Sequence, residues 1–156
     1  MGWDVHRLAT GRPFVVGGVR IPHPRGPVGH SDGDALLHAV MDALLGAAGL
    51  GDIGEFFPDT SKAWRGVSSL LLLQKVMALV RRAGYRVVNL DTVVLLEEPK
   101  LGPHKARIRR ALAAALDVSL GAVNVKAKTA EGLGAVGQKK AVSASCVVLL
   151  DSRRKK

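Results

Sequence analysis

The sequence predicts an α/β fold of the α+β sandwich type, a mixed four-stranded sheet with helices on one face and a small β-hairpin beside it. The hydrophobic periodicity indicates, in order, a strand, a hairpin, two helices, a strand, a helix and two strands. Because this order does not alternate strictly, a mixed sheet is favoured over a doubly wound one. The 156 residues suffice for one domain with a buried core. We expect this domain at residues 1–151 and a basic tail at residues 152–156.

The N-terminal part of the chain is predicted to be extended. In Asp4-Val5-His6 the two polar side chains would point to the same side of a strand, because side chains alternate along it. Residues 14–21 contain two short apolar runs around Gly17-Gly18, which is typical of a hairpin. Prolines and glycines in residues 22–27 then predict an irregular loop that leads to His30.

The first helix is predicted over residues 32–48. Ser31 or Asp32 is a suitable N-cap, and Ser31 with Asp34 forms the pattern of a capping box. Gly49 would end the helix.

An acidic stripe runs along this helix. Asp34, His38 and Asp42 follow one another at intervals of four residues, so they lie on nearly one face. Ionisable groups on an apolar segment are costly to bury without a partner, and a divalent metal is one such partner. For His38 alone, a hydrogen-bonded histidine at a partly exposed helix edge explains the pattern equally well. The stripe leaves both interpretations open.

A polar loop, a second helix and a long strand follow. The loop at residues 51–60 is either a plain connection or a substrate loop whose acids approach metals and sugar hydroxyls. Residues 68–83 have the apolar spacing of a helix, which Gly84 would end. Residues 85–96 predict a strand that is apolar on both faces. Since such a sheet needs two covers, the strand hints at a second subunit.

The C-terminal third predicts a helix over residues 103–116, in which Pro103 suits the first position. Residues 123–129 and 142–150 predict the last two strands.

A second group of polar residues follows the strand at residues 123–129. Lys128, Thr129 and Glu131 stand close to glycines. An ammonium and a hydroxyl suit phosphate, and a carboxylate suits a hard cation. These residues therefore predict a phosphate and magnesium site.

Composition narrows the classes of function. The formal net charge of +10 suggests an anionic partner, such as nucleic acid or a phosphorylated small molecule, and part of it lies in the basic tail. Only 4% of residues are aromatic, which weakens the case for a base-stacking surface. Cys146 is the only cysteine, so a disulfide within the chain and a cysteine-based zinc cluster are excluded. Without a signal-like segment or a membrane-length apolar run, we expect a cytoplasmic protein.

Asp4, His6 and His38 together supply three nitrogen and oxygen ligands. Imidazole and carboxylate suit zinc or a similar transition metal, and three protein ligands leave one position open, as in catalytic sites. Asp42 or Asp34 could accept the other ring N–H of a liganding histidine. With a second cation on Glu131, this arrangement fits phosphoryl transfer on a diphosphate.

Six segments match one pattern in order and spacing: Asp4-Val5-His6, residues 30–38, residues 51–54, residues 57–60, Pro99-Lys100-Leu101 and residues 124–134. Together they resemble the 2-C-methyl-D-erythritol 2,4-cyclodiphosphate synthase family of non-mevalonate isoprenoid (terpenoid) biosynthesis. The resemblance implies a metal-dependent phosphorus–oxygen lyase. It would convert 4-diphosphocytidyl-2-C-methyl-D-erythritol 2-phosphate to the cyclic diphosphate and release CMP, by attack of the 2-phosphate on the β-phosphorus.

The resemblance also implies residue roles. Zinc would bind Asp4, His6 and His38, and Mg²⁺ or Mn²⁺ would bind Glu131. The transition state would be stabilised by His30 and Thr129. The erythritol and its phosphate would contact Ser31, Asp52, Gly54 and Asp59, and the substrate contacts would also include Phe57, Asp4, His6, Thr129 and Glu131. The cytidine pocket would comprise Lys100, Leu101, Gly102, Ala127 and Lys128.

The family is a homotrimer with active sites between subunits, which agrees with the doubly apolar strands. The sequence departs from the family pattern in a short N-terminus, in Lys128-Thr129-Ala130, and at Ala135 and Gln138, where a Phe and an Arg are usual. In relatives these two help to hold a diphosphate-headed ligand in the central cavity. We expect this feature to be absent in its usual form, because a lysine does not reproduce a bidentate arginine.

Two alternative functions are consistent with the same sequence observations. A metal-dependent phosphoesterase would use the same ligands on another phosphate ester, with water as nucleophile and free phosphate as product. A basic nucleic-acid-binding module would bind without a metal and with a steep salt dependence. The acidic stripe argues against the second, and we expect a small-molecule cytidine diphosphate substrate and neither a nucleic acid nor a membrane as partner.

Overall fold

The computed structural model describes residues 1–152. Its strands are β1 (Gly2–Thr10), β2 (Phe14–Val16), β3 (Val19–Ile21), β4 (Arg25–Pro27), β5 (Tyr85–Leu95), β6 (Val123–Lys128) and β7 (Ala141–Ser152). The main sheet has the order β4-β1-β7-β5-β6, and β2 pairs with β3 in the predicted hairpin. Only β5 and β6 run parallel among the described strands. The predicted mixed sheet is confirmed.

The sheet has five strands, one more than predicted. Residues 25–27, expected in an irregular loop, pair antiparallel with the end of β1, with Pro27 opposite Leu8. A proline has no N–H to donate, but it is tolerated here because β4 lies at the edge of the sheet. The proline-rich composition concealed this strand.

The helices are α1 (Ala35–Ala48), α2 (Ile53–Phe56), α3 (Ser69–Arg82), α4 (Lys105–Leu116) and α5 (Gly134–Gly137). The three long helices correspond to those predicted. A 3-10 turn at Gly102–His104 contains Pro103, so the α-helix itself starts two residues after the predicted position. The two four-residue helices are too short to show a hydrophobic period, and the sequence did not predict them.

Helix α1 begins later than predicted. Its N-cap is Asp34, whose carboxylate accepts a hydrogen bond from the Leu37 N–H, whereas Ser31 and Asp32 lie outside the helix. Asp34 is fully buried and also accepts from the backbone N–H groups of Gly17 and Gly18, at 2.9 and 2.7 Å. Asp34 therefore joins the hairpin to α1 and does not belong to the predicted acidic stripe.

Strand β1 and helix α1 approach each other closely at Gly2. A Cβ on Gly2 would lie 2.1 Å from the carbonyl oxygen of Ala39 and 2.6 Å from the nitrogen of Ala43. Any larger residue would push the strand away from the helix. Because Asp4 and His6 follow Gly2 on the same face of β1, this contact brings both side chains to α1.

The two faces of the sheet differ in their cover. Helix α1 packs against β1 and β7, α4 packs against β6, and α3 packs on both helices. On the opposite face, large apolar side chains are exposed: Trp3 (58%), Val5 (43%), Val147 (57%) and Leu149 (55%). The chain thus leaves one apolar face of its sheet uncovered.

Two predictions concern the ends and the environment of the chain. Ser152 was predicted to begin the basic tail. In the structure it is the last residue of β7 and pairs with Tyr85. Residues 153–156 of the predicted tail lie outside the described residues. In the described part of the chain, no helix combines the length and apolar character needed to cross a membrane.

Candidate metal centre and substrate cavity

Asp4, His6 and His38 meet where β1 faces α1. The Asp4 Oδ2 atom lies 2.8 Å from His6 Nε2 and 2.9 Å from His38 Nδ1, and the two ring nitrogens are 3.0 Å apart. Tetrahedral ligands at zinc distances are roughly 3.3 Å apart. A modest opening of this group would accommodate such an ion, so the predicted set of ligands could hold a metal.

The outer ring nitrogen of each histidine has a hydrogen-bond partner. His6 Nδ1 lies 2.8 Å from the carbonyl oxygen of Val28, which can only accept, so this nitrogen carries the hydrogen. His38 Nε2 lies 3.0 Å from the hydroxyl oxygens of both Ser31 and Ser69. The ring nitrogens that face Asp4 are those on the inner side of the group, which is the arrangement that metal-binding histidines require.

The prediction that Asp42 or Asp34 accepts a hydrogen bond from a metal-binding histidine is wrong. The ring nitrogens of His38 bond to other partners, and the Asp42 Oδ1 atom accepts a hydrogen bond of 2.9 Å from the Ile53 N–H and so holds the start of α2. Asp34 is occupied at the hairpin. Sequence spacing placed both aspartates on the correct helix, but it could not show which way each carboxylate is used.

The electrostatics of the three residues are coupled. Burial alone would raise the pKa of the Asp4 carboxyl, but the close contacts with the His38 and His6 rings and the charges of these rings outweigh it and hold the pKa well below its ordinary value. For His6, burial lowers the pKa, and the hydrogen bond and charge of Asp4 overcome this and raise it. The Asp4 carboxylate and the His6 ring thus stabilise each other's charged forms.

A cavity of about 580 Å³ opens beside this group. Eight residues predicted to form the site line it: Asp4, His6, His30, Ser31, His38, Gly54, Phe57 and Asp59. Asp52, also predicted, does not line the cavity but caps α2 by accepting from the Glu55 N–H. The loop at residues 51–60 is thus part of the cavity wall.

The cavity wall is held by contacts between its loops. His30 Nε2 lies 2.8 Å from the carbonyl oxygen of Ser61, and the His30 carbonyl accepts from the Gly66 N–H at 2.8 Å. Phe57 packs edge-on against Trp64, with ring centroids 5.1 Å apart. These contacts fasten the segment at residues 57–66 over His30.

A second cavity of about 560 Å³ adjoins the first. The two cavities share Gly29, His30 and Ser31, and the second is lined by Arg12, Lys62 and Arg65. No carboxylate side chain of the described residues lines it. The far side of His30 is therefore cationic, a feature that the sequence did not reveal because Arg12 is distant in the chain from Lys62 and Arg65.

The remaining predicted residues form a separate group at the C-terminal ends of the parallel strands β5 and β6. The Leu96 N–H donates to the Lys128 carbonyl at 2.9 Å, and the Glu97 carboxylate accepts from the Ala130 N–H at 2.8 Å. The Thr129 hydroxyl donates to Glu131. The residues of this separate group do not line the first cavity; they are Lys100, Leu101, Gly102, Ala127, Lys128, Thr129 and Glu131.

Several residues that line or support the cavity were not predicted from the sequence. Ser69 is fully buried and contacts His38, whereas a serine before an apolar run indicates no more than a helix cap. Trp64 and Leu72 complete the apolar part of the wall. The single signal for Ser69 was a serine next to another serine, which does not distinguish a cap from a buried contact.

Comparisons with known proteins agree with this geometry. Residues 1–151 match the model of the YgbB family. A 2-C-methyl-D-erythritol 2,4-cyclodiphosphate synthase of Syntrophobacter fumaroxidans is 54% identical over 97% of this chain and 95% of its own length. A solved structure of a 2C-methyl-D-erythritol-2,4-cyclodiphosphate synthase with bound CDP is similar with a TM-score of 0.89 and 44% identity, over 96% of this chain and 97% of that one. A bifunctional protein of Campylobacter jejuni has a TM-score of 0.93 and 40% identity, over 97% of this chain but 41% of that one.

Proposed function

The chain belongs to the YgbB family, and we propose that it converts 4-diphosphocytidyl-2-C-methyl-D-erythritol 2-phosphate to 2-C-methyl-D-erythritol 2,4-cyclodiphosphate with release of CMP. It would be a cytoplasmic, metal-dependent phosphorus–oxygen lyase of non-mevalonate isoprenoid biosynthesis. The observation that carries the proposal is the group of Asp4, His6 and His38 at the wall of a cavity that also presents His30 and Ser31.

The residues present fit the proposed metals. Asp4, His6 and His38 offer one carboxylate oxygen and two imidazole nitrogens, a donor set that suits zinc. Glu131 offers an exposed carboxylate, which suits Mg²⁺ or Mn²⁺. When bound, the two cations would act as Lewis acids that neutralise charge on the phosphate oxygens.

The two adjoining cavities fit a substrate with phosphate groups at both ends of a short polyol. The first cavity would receive the diphosphate beside the metal ligands and the erythritol beside Gly54, Phe57 and Asp59. The second, with its cationic lining, would favour the 2-phosphate. His30 lies between them and would stabilise the transition state together with Thr129.

In the proposed reaction, an oxygen of the 2-phosphate forms a bond to the β-phosphorus, and the bond between this phosphorus and the α-phosphate oxygen breaks. The electron pair leaves with CMP. The protein supplies positioning and charge stabilisation and forms no covalent bond, as is usual in phosphoryl transfer. The cavity wall around His30 would hold the 2-phosphate close to the β-phosphorus.

The site would be completed by a second copy of the chain in a homotrimer. Within one chain, Thr129 and Glu131 do not line the cavity that His38 lines. We propose that the group at the ends of β5 and β6 of a neighbouring subunit forms the cytidine pocket. Its members would be Lys100, Leu101, Gly102, Ala127 and Lys128. The exposed apolar face with Trp3 and Val147 supports association through the sheet.

We propose that a diphosphate-headed ligand is not held in a central cavity in the usual way. The positions where relatives carry a Phe and an Arg are Ala135 and Gln138. Nearby, the Lys139 ammonium lies 2.5 Å from Glu98, and Lys140 donates to Gln138 at 2.8 Å. Both lysines therefore have local partners.

The test is incubation of the purified protein with the diphosphocytidyl substrate, Mg²⁺ and zinc. The proposal expects CMP and a cyclic diphosphate, which phosphorus NMR distinguishes from phosphate monoesters. The Ser68→Ala variant is a matched control that should retain the parental rate, because Ser68 is exposed and makes no capping hydrogen bond. Release of inorganic phosphate without CMP would instead support a phosphoesterase.

A further inference from the structure

We propose that Asp32 and Ser69 are positioning residues that fix the tautomer of His38, so that its Nδ1 atom presents a lone pair to the metal. The inference rests on the proposed metal site but concerns two residues that are not among the proposed metal ligands. It is carried by a chain of hydrogen bonds from His38 through Ser69 to Asp32.

The chain of hydrogen bonds is short and mostly shielded from solvent. Ser69 is fully buried, and its Oγ atom lies 3.0 Å from His38 Nε2 and 2.5 Å from Asp32 Oδ1. The other carboxylate oxygen of Asp32 accepts from the Ser69 backbone N–H at 3.0 Å. Asp32 thus holds both the backbone and the hydroxyl of Ser69 in place.

The direction of each hydrogen bond follows from what each group can donate. A carboxylate has no hydrogen to give, so the Ser69 hydroxyl hydrogen points to Asp32. The Ser69 oxygen is then left as an acceptor towards His38, and Nε2 must carry the hydrogen. A neutral imidazole with a hydrogen on Nε2 has its lone pair on Nδ1, the atom 2.9 Å from Asp4.

Ser31 by itself does not fix which ring nitrogen of His38 carries the hydrogen. Its Oγ atom is also 3.0 Å from His38 Nε2, but its neighbours are the Gly33 N–H and the Ser69 hydroxyl, both at 3.3 Å. Neither is a carboxylate, so the Ser31 hydroxyl can either accept from His38 or donate to it. Only in the Asp32–Ser69 pair is the donor of the hydrogen bond fixed.

The two histidines are therefore oriented by different means. His6 depends on the backbone carbonyl of Val28, which no side-chain substitution removes. His38 depends on two side chains, one before α1 and one at the start of α3. This difference makes the His38 arrangement testable by mutation.

The decisive variant is Asp32→Asn. An asparagine must present its NH₂ group either to the Ser69 N–H or to the Ser69 hydroxyl, since both oxygens of Asp32 are now acceptors. The Ser69 N–H cannot accept, and its 3.0 Å bond is shorter than the 3.3 Å contact of the Asp34 N–H with the other carboxylate oxygen. The amide oxygen is therefore held at the Ser69 N–H, the contact with the Asp34 N–H is lost, and the NH₂ group donates to Ser69 Oγ. The Ser69 hydroxyl would then donate to His38 Nε2 and favour the tautomer with hydrogen on Nδ1, which cannot bind a metal through that atom.

The experiment combines zinc affinity, by competition with a chromophoric chelator, with the imidazole nitrogen shifts of His38 in metal-free protein. We expect Asp32→Asn to lower zinc affinity by about 10- to 100-fold and to move the hydrogen from Nε2 towards Nδ1. Ser69→Ala should have a smaller effect, because the Ser31 hydroxyl remains as an acceptor. Ser68→Ala should leave affinity and tautomer unchanged, since Ser68 has no capping hydrogen bond.

The outcomes separate this inference from the proposed function. Parental zinc affinity and an unchanged His38 tautomer in Asp32→Asn would overturn the inference, while leaving the enzyme assignment intact. A parent protein with the Nε2 hydrogen in place but with no affinity for zinc would contradict the proposed metal site and leave the hydrogen-bond direction standing. A hydrogen on Nδ1 in the parent would refute the inference directly.

Discussion

The Asp4 carboxylate lies 2.9 Å from Nδ1 of His38, although 34 positions separate the two residues. One is in the first strand and the other in the first helix, and the close approach of these elements at Gly2 brings them together. The contact connects the cavity to the core of the fold.

Replacing His38 by alanine should abolish zinc binding and turnover while the proposed trimer persists. Loss of one of three ligands leaves an incomplete site, and we expect metal affinity to fall by at least about 100-fold. Metal content after dialysis, CMP release and sedimentation measure the three properties. Substrate cyclisation at the parental rate by His38→Ala would show that the metal assignment is wrong.

The stability of the metal-free protein should depend on pH through Asp4 and His6. The pKa of Asp4 is lowered on folding, so its contribution is present above the ordinary value of 3.8 and is lost as the pH falls below it. The pKa of His6 is raised, so its contribution is present below the ordinary value of 6.5 and is lost as the pH rises through the raised value. Thermal unfolding of the parent and of Asp4→Asn should differ most between these two values. An equal difference at pH 5 and pH 9 would contradict this expectation.

Truncation of Asp42 should loosen the wall of the cavity. Asp42→Ala leaves the Ile53 N–H without its acceptor, which should cost about 1 kcal/mol of unfolding free energy and raise KM. Asp42→Asn keeps an acceptor oxygen and serves as the matched control, with values close to the parent. Urea denaturation and steady-state kinetics provide the measurements. If both variants raise KM equally, the charge of Asp42 matters and its hydrogen bond to Ile53 does not.

Loss of Asp34 should be the most destabilising of these changes. Asp34→Ala removes a buried acceptor from three backbone N–H groups, those of Gly17, Gly18 and Leu37. We expect a loss of roughly 3 kcal/mol or more, because each buried donor is left unsatisfied. Asp34→Asn should lose less, since its amide oxygen still accepts. Urea midpoints at one protein concentration compare them, and a loss below about 1 kcal/mol for the alanine variant would disprove this structural role.

Mixed trimers should show whether the active site is shared between subunits. The His38→Ala and Glu131→Gln variants would each be inactive alone. If Glu131 acts on the metal group of a neighbour, random mixing of the two variants restores about a quarter of the parental activity. Co-expression with two affinity tags and a CMP assay measure this value. Mixed trimers without activity would indicate that both residues must come from one chain.

The ligand group could be predicted because it depends on local periodicity. A period of two residues places Asp4 and His6 on one face of a strand, whatever the strand pairs with. The long helices follow from their apolar spacing, and Gly49 ends α1 in a left-handed conformation, as its place in the sequence predicts. Strand β4 was not predictable, since its pairing with β1 compensates for a composition that favours loops.

Sequence alone determined the types of the main elements, the mixed sheet and the residues that could bind a metal. The tertiary structure decided how these residues are used. It assigned Asp34 to the hairpin and Asp42 to α2, and it placed Ser69 against His38. The reason is physical: residue spacing specifies which face of an element a side chain occupies, whereas a hydrogen-bond partner depends on how elements distant in the chain pack together.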